Sequence, residues 1–340
     1  MAFIDVFRSD AFGVVPLTDA INRIPFRPGR ISSMGLFDET GVATTSVAIE
    51  ERGGILALVA PTPRGAPGVT LDKSKRTLRT LRIPHFEIND AVLADEVQGI
   101  RAWGSETEVE MLMAKVADRG SIASQSMAVT QEYARIGAIK GTITYADSST
   151  LSLFTEFGVS QESEIDFDLD NATPAAGALR KKCAGVIRQM AGILDGLPFT
   201  GIYALCGDAF FDDLIAHTEV RATYLQTQAA GDLRTAYVSG GQTYGAFSFG
   251  GITFENYRGA VGATGYIHTD KCHLFPTGVP GLFRTYFAPA DYNDTVNTMG
   301  QRLYQRQYEM PNGKGINLDT QMNALDICTR PRVLIQGKRT

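Results

Sequence analysis

Residues 105–196 constrain the fold more than any other part of this chain: a long amphipathic helix, a β-hairpin and a second amphipathic helix follow one another. Ser105 with Glu108 three residues on is a capping-box pattern, which satisfies free amide donors at a helix start. Val109, Leu112, Met113, Val116, Ala123, Met127 and Ala134 then recur near the 3.6-residue period of one buried stripe. Thr142–Tyr145 and Leu151–Phe154 alternate on either side of Ala146-Asp147-Ser148-Ser149-Thr150, which predicts two strands around a polar turn. Thr173-Pro174 predicts an N-cap and a first-turn proline. Leu179, Cys183, Val186, Ile187, Met190 and Leu194 form the second stripe, and Gly196 and Pro198 stop it. A helix of about 30 residues spans roughly 45 Å. That is long for a compact enzyme domain and suits a spine bracing an elongated subunit.

Bulk properties restrict function only weakly. The chain has 340 residues, 44% of them hydrophobic and 20% charged, which is ordinary for a folded protein of one large or two modest domains. With 32 basic and 37 acidic residues the net charge is −5, so bulk charge does not point to a nucleic-acid binder. The balance fits a container that does not adhere to its contents, and equally fits many enzymes. The absence of an 18-residue apolar run, and of a basic-then-apolar N-terminus, predicts no membrane crossing.

Along the chain, residues 1–40 read as an extended arm with a short helix at Leu17–Arg23 and breakers at Pro16, Pro25 and Pro28. Residues 1–30 have too few apolar positions for a core and are expected to order only against something else. Residues 41–101 turn to strands: Val42–Ile49, Ile55–Val59 and Leu78–Phe86, with the breaker cluster 61–68 between them. A two-stranded excursion of this kind is marginal alone in water, so another chain is its expected support. From 197 onward, strand and helix signals alternate. Strands are predicted at Ile202–Cys206, at Phe247–Phe249 with Ile252–Phe254 around Gly250-Gly251, at Leu303–Met310, Leu325–Ile327 and Val333–Ile335, and a helix at Asp208–His217.

Signals for catalytic or metal chemistry are weak. Asn312-Gly313-Lys314-Gly315 lacks the Ser or Thr and the first glycine of a phosphate-binding loop and reads as a surface turn. No GxSxG elbow occurs, Ser248 sits in a predicted hairpin strand, and the four histidines form no HExxH. His217 ends a predicted helix, where a cationic ring suits the dipole; His268 and His273 read as strand or loop residues. Glu162, Glu164, Asp166, Asp168 and Asp170 alternate without the glycine turn and bidentate glutamate of a calcium loop, so they read as a solvated edge strand or loop. Cys183, Cys206, Cys272 and Cys328 lie far apart with no ligand or disulfide spacing and are expected to be reduced. No cofactor and no metal are expected.

The helix–hairpin–helix, the segment Gly207-Asp208-Ala209-Phe210-Phe211-Asp212-Asp213-Leu214-Ile215-Ala216-His217, and the closing stretch Gln321–Pro331 followed by Arg332-Val333-Leu334-Ile335 occur in one order and spacing. In these features the chain resembles the lambda-type phage major capsid (major head) protein family, over nearly its whole length. That resemblance implies an α+β chain with the Hong Kong 97 phage-type capsid fold. Its parts would be an N-terminal arm (1–40), an extended E-loop ribbon (41–101), a peripheral domain with spine helix and hairpin (102–196) and an axial domain (197–340). The axial domain's last strands would return to the peripheral domain.

Arg64, Lys73, Lys75, Arg76, Arg79 and Arg82 set six cations against one acid, Asp72, without aromatics for stacking on bases. From the residues alone a solvated face is favoured. The resemblance instead implies a ribbon lying on a neighbour's acidic surface, where a single change such as Arg79→Ala would be tolerated. The expected function is a non-enzymatic major capsid protein of a tailed bacteriophage. It would self-assemble as hexamers and pentamers into an icosahedral virion head, built in the host cytoplasm, that encloses double-stranded DNA without sequence-specific binding. Only about 40 residues precede the ribbon, which leads us to expect a separate scaffolding protein rather than a fused one. A portal and a decoration protein are further partners implied by the resemblance. The other readings are an encapsulin-like cellular shell and a soluble α/β enzyme.

Overall fold

The apolar period of the first helix is realised as 33 helical residues, Glu108–Lys140, about 50 Å of continuous spine. The computed structural model describes residues 29–52, 76–97, 108–171, 173–225, 245–261 and 264–340. The predicted Leu17–Arg23 helix, the Ile55–Val59 strand, the Ser105 cap and Arg64, Lys73 and Lys75 lie outside the described residues.

In chain order, helix α1 (Arg30–Ser33) leads to strands β1 (Asp38–Gly41), β2 (Ser46–Arg52), β3 (Arg76–Arg82) and β4 (His85–Leu93). Helices α2 (Ala94–Val97) and α3, the spine (Glu108–Lys140), precede hairpin strands β5 (Thr142–Thr144) and β6 (Thr150–Ser152). Helix α4 (Leu153–Phe157), strand β7 (Ile165–Asp166) and helix α5 (Ala178–Leu194) follow. Next come β8 (Gly201–Cys206), helices α6 (Asp208–Ala216) and α7 (Thr218–Leu225), then β9 (Ala246–Phe249), β10 (Ile252–Asn256), β11 (Ala260–Val261) and β12 (Thr264–Gly265). The chain closes with β13 (Lys271–Thr277), β14 (Phe283–Phe287), β15 (Tyr304–Glu309), β16 (Gly315–Cys328) and β17 (Ile335–Lys338).

Two sheets organise these elements. One runs β7-β17-β13-β8-β10-β9 and packs with α5 and α6 around the main core. The other is built on the 14-residue β16, which pairs with β15 on one side, with β4 on the other, and with β14 and then β1 through its C-terminal half. The spine lies on this second sheet, where Met127 packs with Phe287, Leu303, Met322 and Ala324. Val116, Ala123, Met127 and Ala134 are buried as their spacing requires. Gly141 ends the spine at φ +80, a left-handed turn that a side chain resists, and a Cβ there would strike the Phe154 ring.

Several boundaries moved, each for a local reason. The predicted strand Leu78–Phe86 is two strands: it breaks at Ile83-Pro84, and β4 leaves the ribbon to pair with β16. Proline supplies no ladder donor and restricts the residue before it. The second hairpin strand stops at Ser152, whose side chain accepts from the Thr155 N–H and starts α4 instead. The second long helix begins at Ala178 rather than near Thr173, because Glu219 of α7 caps it, accepting from the backbone N–H groups of Leu179 and Arg180 at 3.1 and 3.2 Å. Val333 ends a 3-10 turn, and the closing strand starts at Ile335.

Strands β13 and β14 carry no forecast in the sequence reading. Pro276 lies inside β13, opposite Ile202 of β8, but β17 pairs only with Lys271–Leu274. The Cys206–Cys272 pair is flanked by the Gly207 N–H to Lys271 carbonyl bond, so it and the Ile202–Pro276 pair are non-hydrogen-bonded positions toward β8. The missing N–H of Pro276 therefore faces a side that β17 has already left.

Candidate assembly site

The base of the ribbon grows out of the core. Val47, Leu81 and Ile83 are buried in the main cluster on one face of the β2–β3 pair. Arg79, on that same face, donates from Nη1 to the Glu156 carbonyl near the C-terminus of α4, and its guanidinium rests over Gly158. This cation of the six is spent inside its own subunit. The alternate residues Leu78, Thr80 and Arg82 face outward. Leu78 is 68% exposed, an apolar side chain that the described residues leave open. Arg76 stands opposite Arg52 in the backbone register of this pair. The structure thus separates the cations that the sequence presented as one run.

Where the chain enters the described region, α1 is held by acids from two directions. Arg30 makes a bidentate pair with Glu255 of β10, both bonds 2.8 Å, and also reaches the Tyr203 hydroxyl at 3.1 Å. The Tyr203 hydroxyl in turn donates to Glu255, and burial followed by this carboxylate holds its ionisation well above the ordinary tyrosine value. From the spine, Glu132 accepts the backbone N–H groups of Ile31 and Ser32 at 2.7 and 3.1 Å and the Ser32 hydroxyl at 2.8 Å. Residues 29–33 therefore belong to the subunit's own fold, and Gly29 and Arg30 are the last two residues of the stretch 1–30 that composition alone left without support. Sequence reading missed both acids because they lie 101 and 225 residues from their partners.

Opposite the spine, β15, β16 and β4 present a polar face. Glu87, Asn89 and Asp319 sit side by side across the strands. The Asn89 amide, oriented to satisfy both acids, donates to Asp319 at 2.6 Å and to Glu87 at 2.9 Å. Burial and then Glu87 raise the Asp319 carboxyl above its ordinary value, while Arg306 pulls it the other way. Arg306 itself leans over the Tyr292 ring, with Asp294 3.8 Å away. Beside the acids, Tyr308 and Leu93 are 46% and 40% exposed. A groove of about 510 Å³ runs between the ribbon base and the loop after β14, lined among others by Arg82, His85, Pro289 and Val296.

The remaining sequence candidates have structural employments. Glu162 accepts from Arg332 at 2.6 Å, Glu164 from Lys271, and Asp166 faces Lys338 at 3.4 Å, all along the β7 edge of the six-stranded sheet. Asp168 is held locally, accepting from the Asn171 amide at 3.1 Å. His217 accepts the Glu219 N–H at Nδ1, 3.3 Å, so its ring caps the start of α7. His273 is buried and pushed down to about 3, first by burial and then by Lys140 and Lys271. All four cysteines are buried free thiols. Among the described residues, no three His, Cys, Asp or Glu side chains are placed to hold a metal ion, and no helix is long and apolar enough to cross a membrane.

Known proteins are similar to this chain along nearly its whole length. The family described as phage major capsid protein E is matched over residues 13–339. The major capsid protein of Pseudomonas phage KPP10 is 28% identical over 344 residues, covering 96% of this chain and 97% of that protein. The major capsid protein of Salmonella phage Felix O1 is 25% identical, with 95% of each chain covered. A crystal structure of a protein assigned as the capsid protein of an E. coli CFT073 prophage superposes with a TM-score of 0.59. It is 10% identical, and the superposition covers 96% of this chain and 99% of that one.

Proposed function

The chain belongs to the phage major capsid protein E family and is a structural protein of the phage head with the Hong Kong 97 phage-type fold, and we propose that it closes into icosahedral heads as hexamers and pentamers around double-stranded DNA. The observation that carries the reading is the family match over residues 13–339, on a chain that superposes over 96% of its length with a protein assigned as a prophage capsid protein. Both curated relatives are phage major capsid proteins, which favours a phage head over a cellular compartment or an enzyme.

The mechanism is assembly by many modest contacts repeated through symmetry. Residues 1–40 serve as the arm, with α1 its anchor. Residues 41–101 supply the ribbon, 102–196 the spine and hairpin, and 197–340 the axial domain. Arg64, Lys73, Lys75, Arg76 and Arg82 lie on a neighbouring subunit, while Arg79 fixes the ribbon base. The family resemblance extends the proposal to a separate scaffolding protein, a portal and a decoration protein as partners, with assembly in the host cytoplasm and the mature protein in the virion. The work so described is mechanical and assigns no residue a catalytic role.

Sedimentation and negative-stain microscopy of the expressed protein test this. Capsomers or shells are expected, and a species that stays at 36.8 kDa at every concentration would overturn it.

A further inference from the structure

Two of the four buried thiols face each other across the middle of a sheet. Strands β8 and β13 are the central pair of the β7-β17-β13-β8-β10-β9 order, and Cys206 stands opposite Cys272 in their antiparallel register. The Gly207 N–H bonds the Lys271 carbonyl at 2.9 Å, which makes Cys206 and Cys272 a non-hydrogen-bonded pair. Opposed Cα atoms at such a position lie about 4.5 Å apart, inside the roughly 4.4–6.8 Å that a disulfide spans. A bridge here needs rotation of the two side chains and no movement of the strands. On the other side of Cys272, Gly337 of β17 leaves the sulfur its space: a Cβ there would come within 2.6 Å of it. The other two thiols have no such partner in register. Cys183 lies on α5 against Gly250, and Cys328 stands opposite Phe283.

We propose that Cys206 and Cys272 are a cross-strand redox pair, which a small-molecule disulfide such as oxidised glutathione converts to a disulfide that locks β13 to β8. One protein thiolate attacks the oxidant, giving a mixed disulfide and releasing one small thiol. The second protein thiolate attacks the protein sulfur of that mixed disulfide and releases the other small thiol. Two protein S–H bonds are lost and one S–S bond is gained, while two electrons and two protons leave in the two small thiols. Both side chains are fully buried. Burial, then the neighbouring Cys272 thiol, holds the Cys206 thiol well above its ordinary value. Since the thiolate is the nucleophile, the closed sheet reacts slowly, and oxidation proceeds through local opening of the β8–β13 pair. The bridge closes a loop that carries α6, α7 and β9 to β12, so reduced and oxidised protein differ in how readily this sheet opens. The inference stands apart from the capsid reading, because it concerns the subunit alone.

Disulfide mapping of the wild-type chain tests this without any substitution. Unassembled subunits are incubated with oxidised glutathione over a range of sub-denaturing urea, remaining thiols are alkylated, and the digest is read by mass spectrometry. The expected product is a peptide pair linked through Cys206 and Cys272, about 2 Da lighter than its two free-thiol halves together. It should form faster as urea opens the sheet, with Cys183 and Cys328 left to the alkylating agent. An unfolded chain has a different preference. Cys183 and Cys206 are 23 residues apart against 66 for Cys206 and Cys272, and loop closure favours the shorter separation about fivefold. A dominant link between Cys183 and Cys206, links spread over several pairs, glutathione retained on Cys206 or Cys272, or four alkylated cysteines would each overturn the proposal. Oxidised subunits are expected to melt roughly 5 °C above reduced ones, and dithiothreitol should abolish the difference. An equal or lower melting temperature would remove the locking role.

Discussion

Arg135 on the spine and Asp326 on β16 form an ion pair almost sealed from solvent, Nε to Oδ1 at 3.2 Å with side-chain exposures of 3% and 1%. The same guanidinium reaches Glu39 at 2.6 Å and the Ser32 hydroxyl at 3.0 Å, and it stands 5.1 Å over the Phe37 ring. Thr285 donates to the shared carboxylate oxygen. One side chain therefore ties the spine to β16, to β1 and to α1. Burial raises the Asp326 carboxyl, and Arg135 is the main influence holding it down.

Removing one partner strands a buried charge, whereas removing both does not. Arg135→Ala is expected to cost the subunit about 3–5 kcal/mol, read from urea unfolding of unassembled protein. Arg135→Met with Asp326→Leu should recover a large part of that loss. A single-variant cost below ~1 kcal/mol would show that water or another cation replaces Arg135.

Glu132 is the second fixed point. Glu132→Ala leaves the Ile31 and Ser32 N–H groups and the Ser32 hydroxyl without their acceptor. Loss of a helix cap costs roughly 0.5–2 kcal/mol, and stranded buried donors add about 1–3 kcal/mol. Hydrogen exchange at Ile31 and Ser32 should accelerate in the variant while the β16 amides keep their protection. Equal acceleration in both places would mean that α1 unfolds only with the whole subunit.

What the sequence revealed, and what it hid, follows from the range of each interaction. The spine and α5 were legible because their stripes repeat every 3.6 residues, and the β9–β10 hairpin because Gly250-Gly251 marks its turn. The start of α5 was not, since Glu219 caps it from 40 residues away. Strand β13 was obscured by Pro276, harmless only because β17 ends beforehand. The cation run 64–82 was visible as charge, yet strand alternation divides Arg79 from Arg82, and only the fold shows which side is buried. The acidic face joins Glu87 to Asp319, residues that no local pattern could associate.

His273 gives the subunit an acid sensitivity. Its folded value of about 3 lies below the ordinary 6.5, so the unfolded chain binds the proton more readily. Stability from the neutral ring is complete above pH 6.5 and declines as pH falls toward 3. The loss is about 2 kcal/mol by pH 5. Melting temperatures of unassembled protein should fall over that window, and His273→Gln should flatten the decline. A variant with the wild-type slope would place the sensitivity elsewhere.

The ribbon base gives the last prediction, and it departs from the tolerance expected for a surface cation. Arg79 packs against Gly158 and donates to the Glu156 carbonyl, so Arg79→Ala removes a charge-assisted bond of about 1.5–3 kcal/mol within the subunit. Arg82 lies on the exposed face of the same strand, and Arg82→Ala should leave the melting temperature unchanged. In assembled shells the order reverses for salt. The exposed contacts of Arg82 are screened over ~8–10 Å near physiological ionic strength, so Arg82→Ala shells should dissociate at lower salt than wild type. Arg79→Ala shells should lose heat stability while keeping the wild-type salt midpoint. Equal effects of both substitutions on subunit melting would mean that the two faces of β3 are not distinguished as the structure places them.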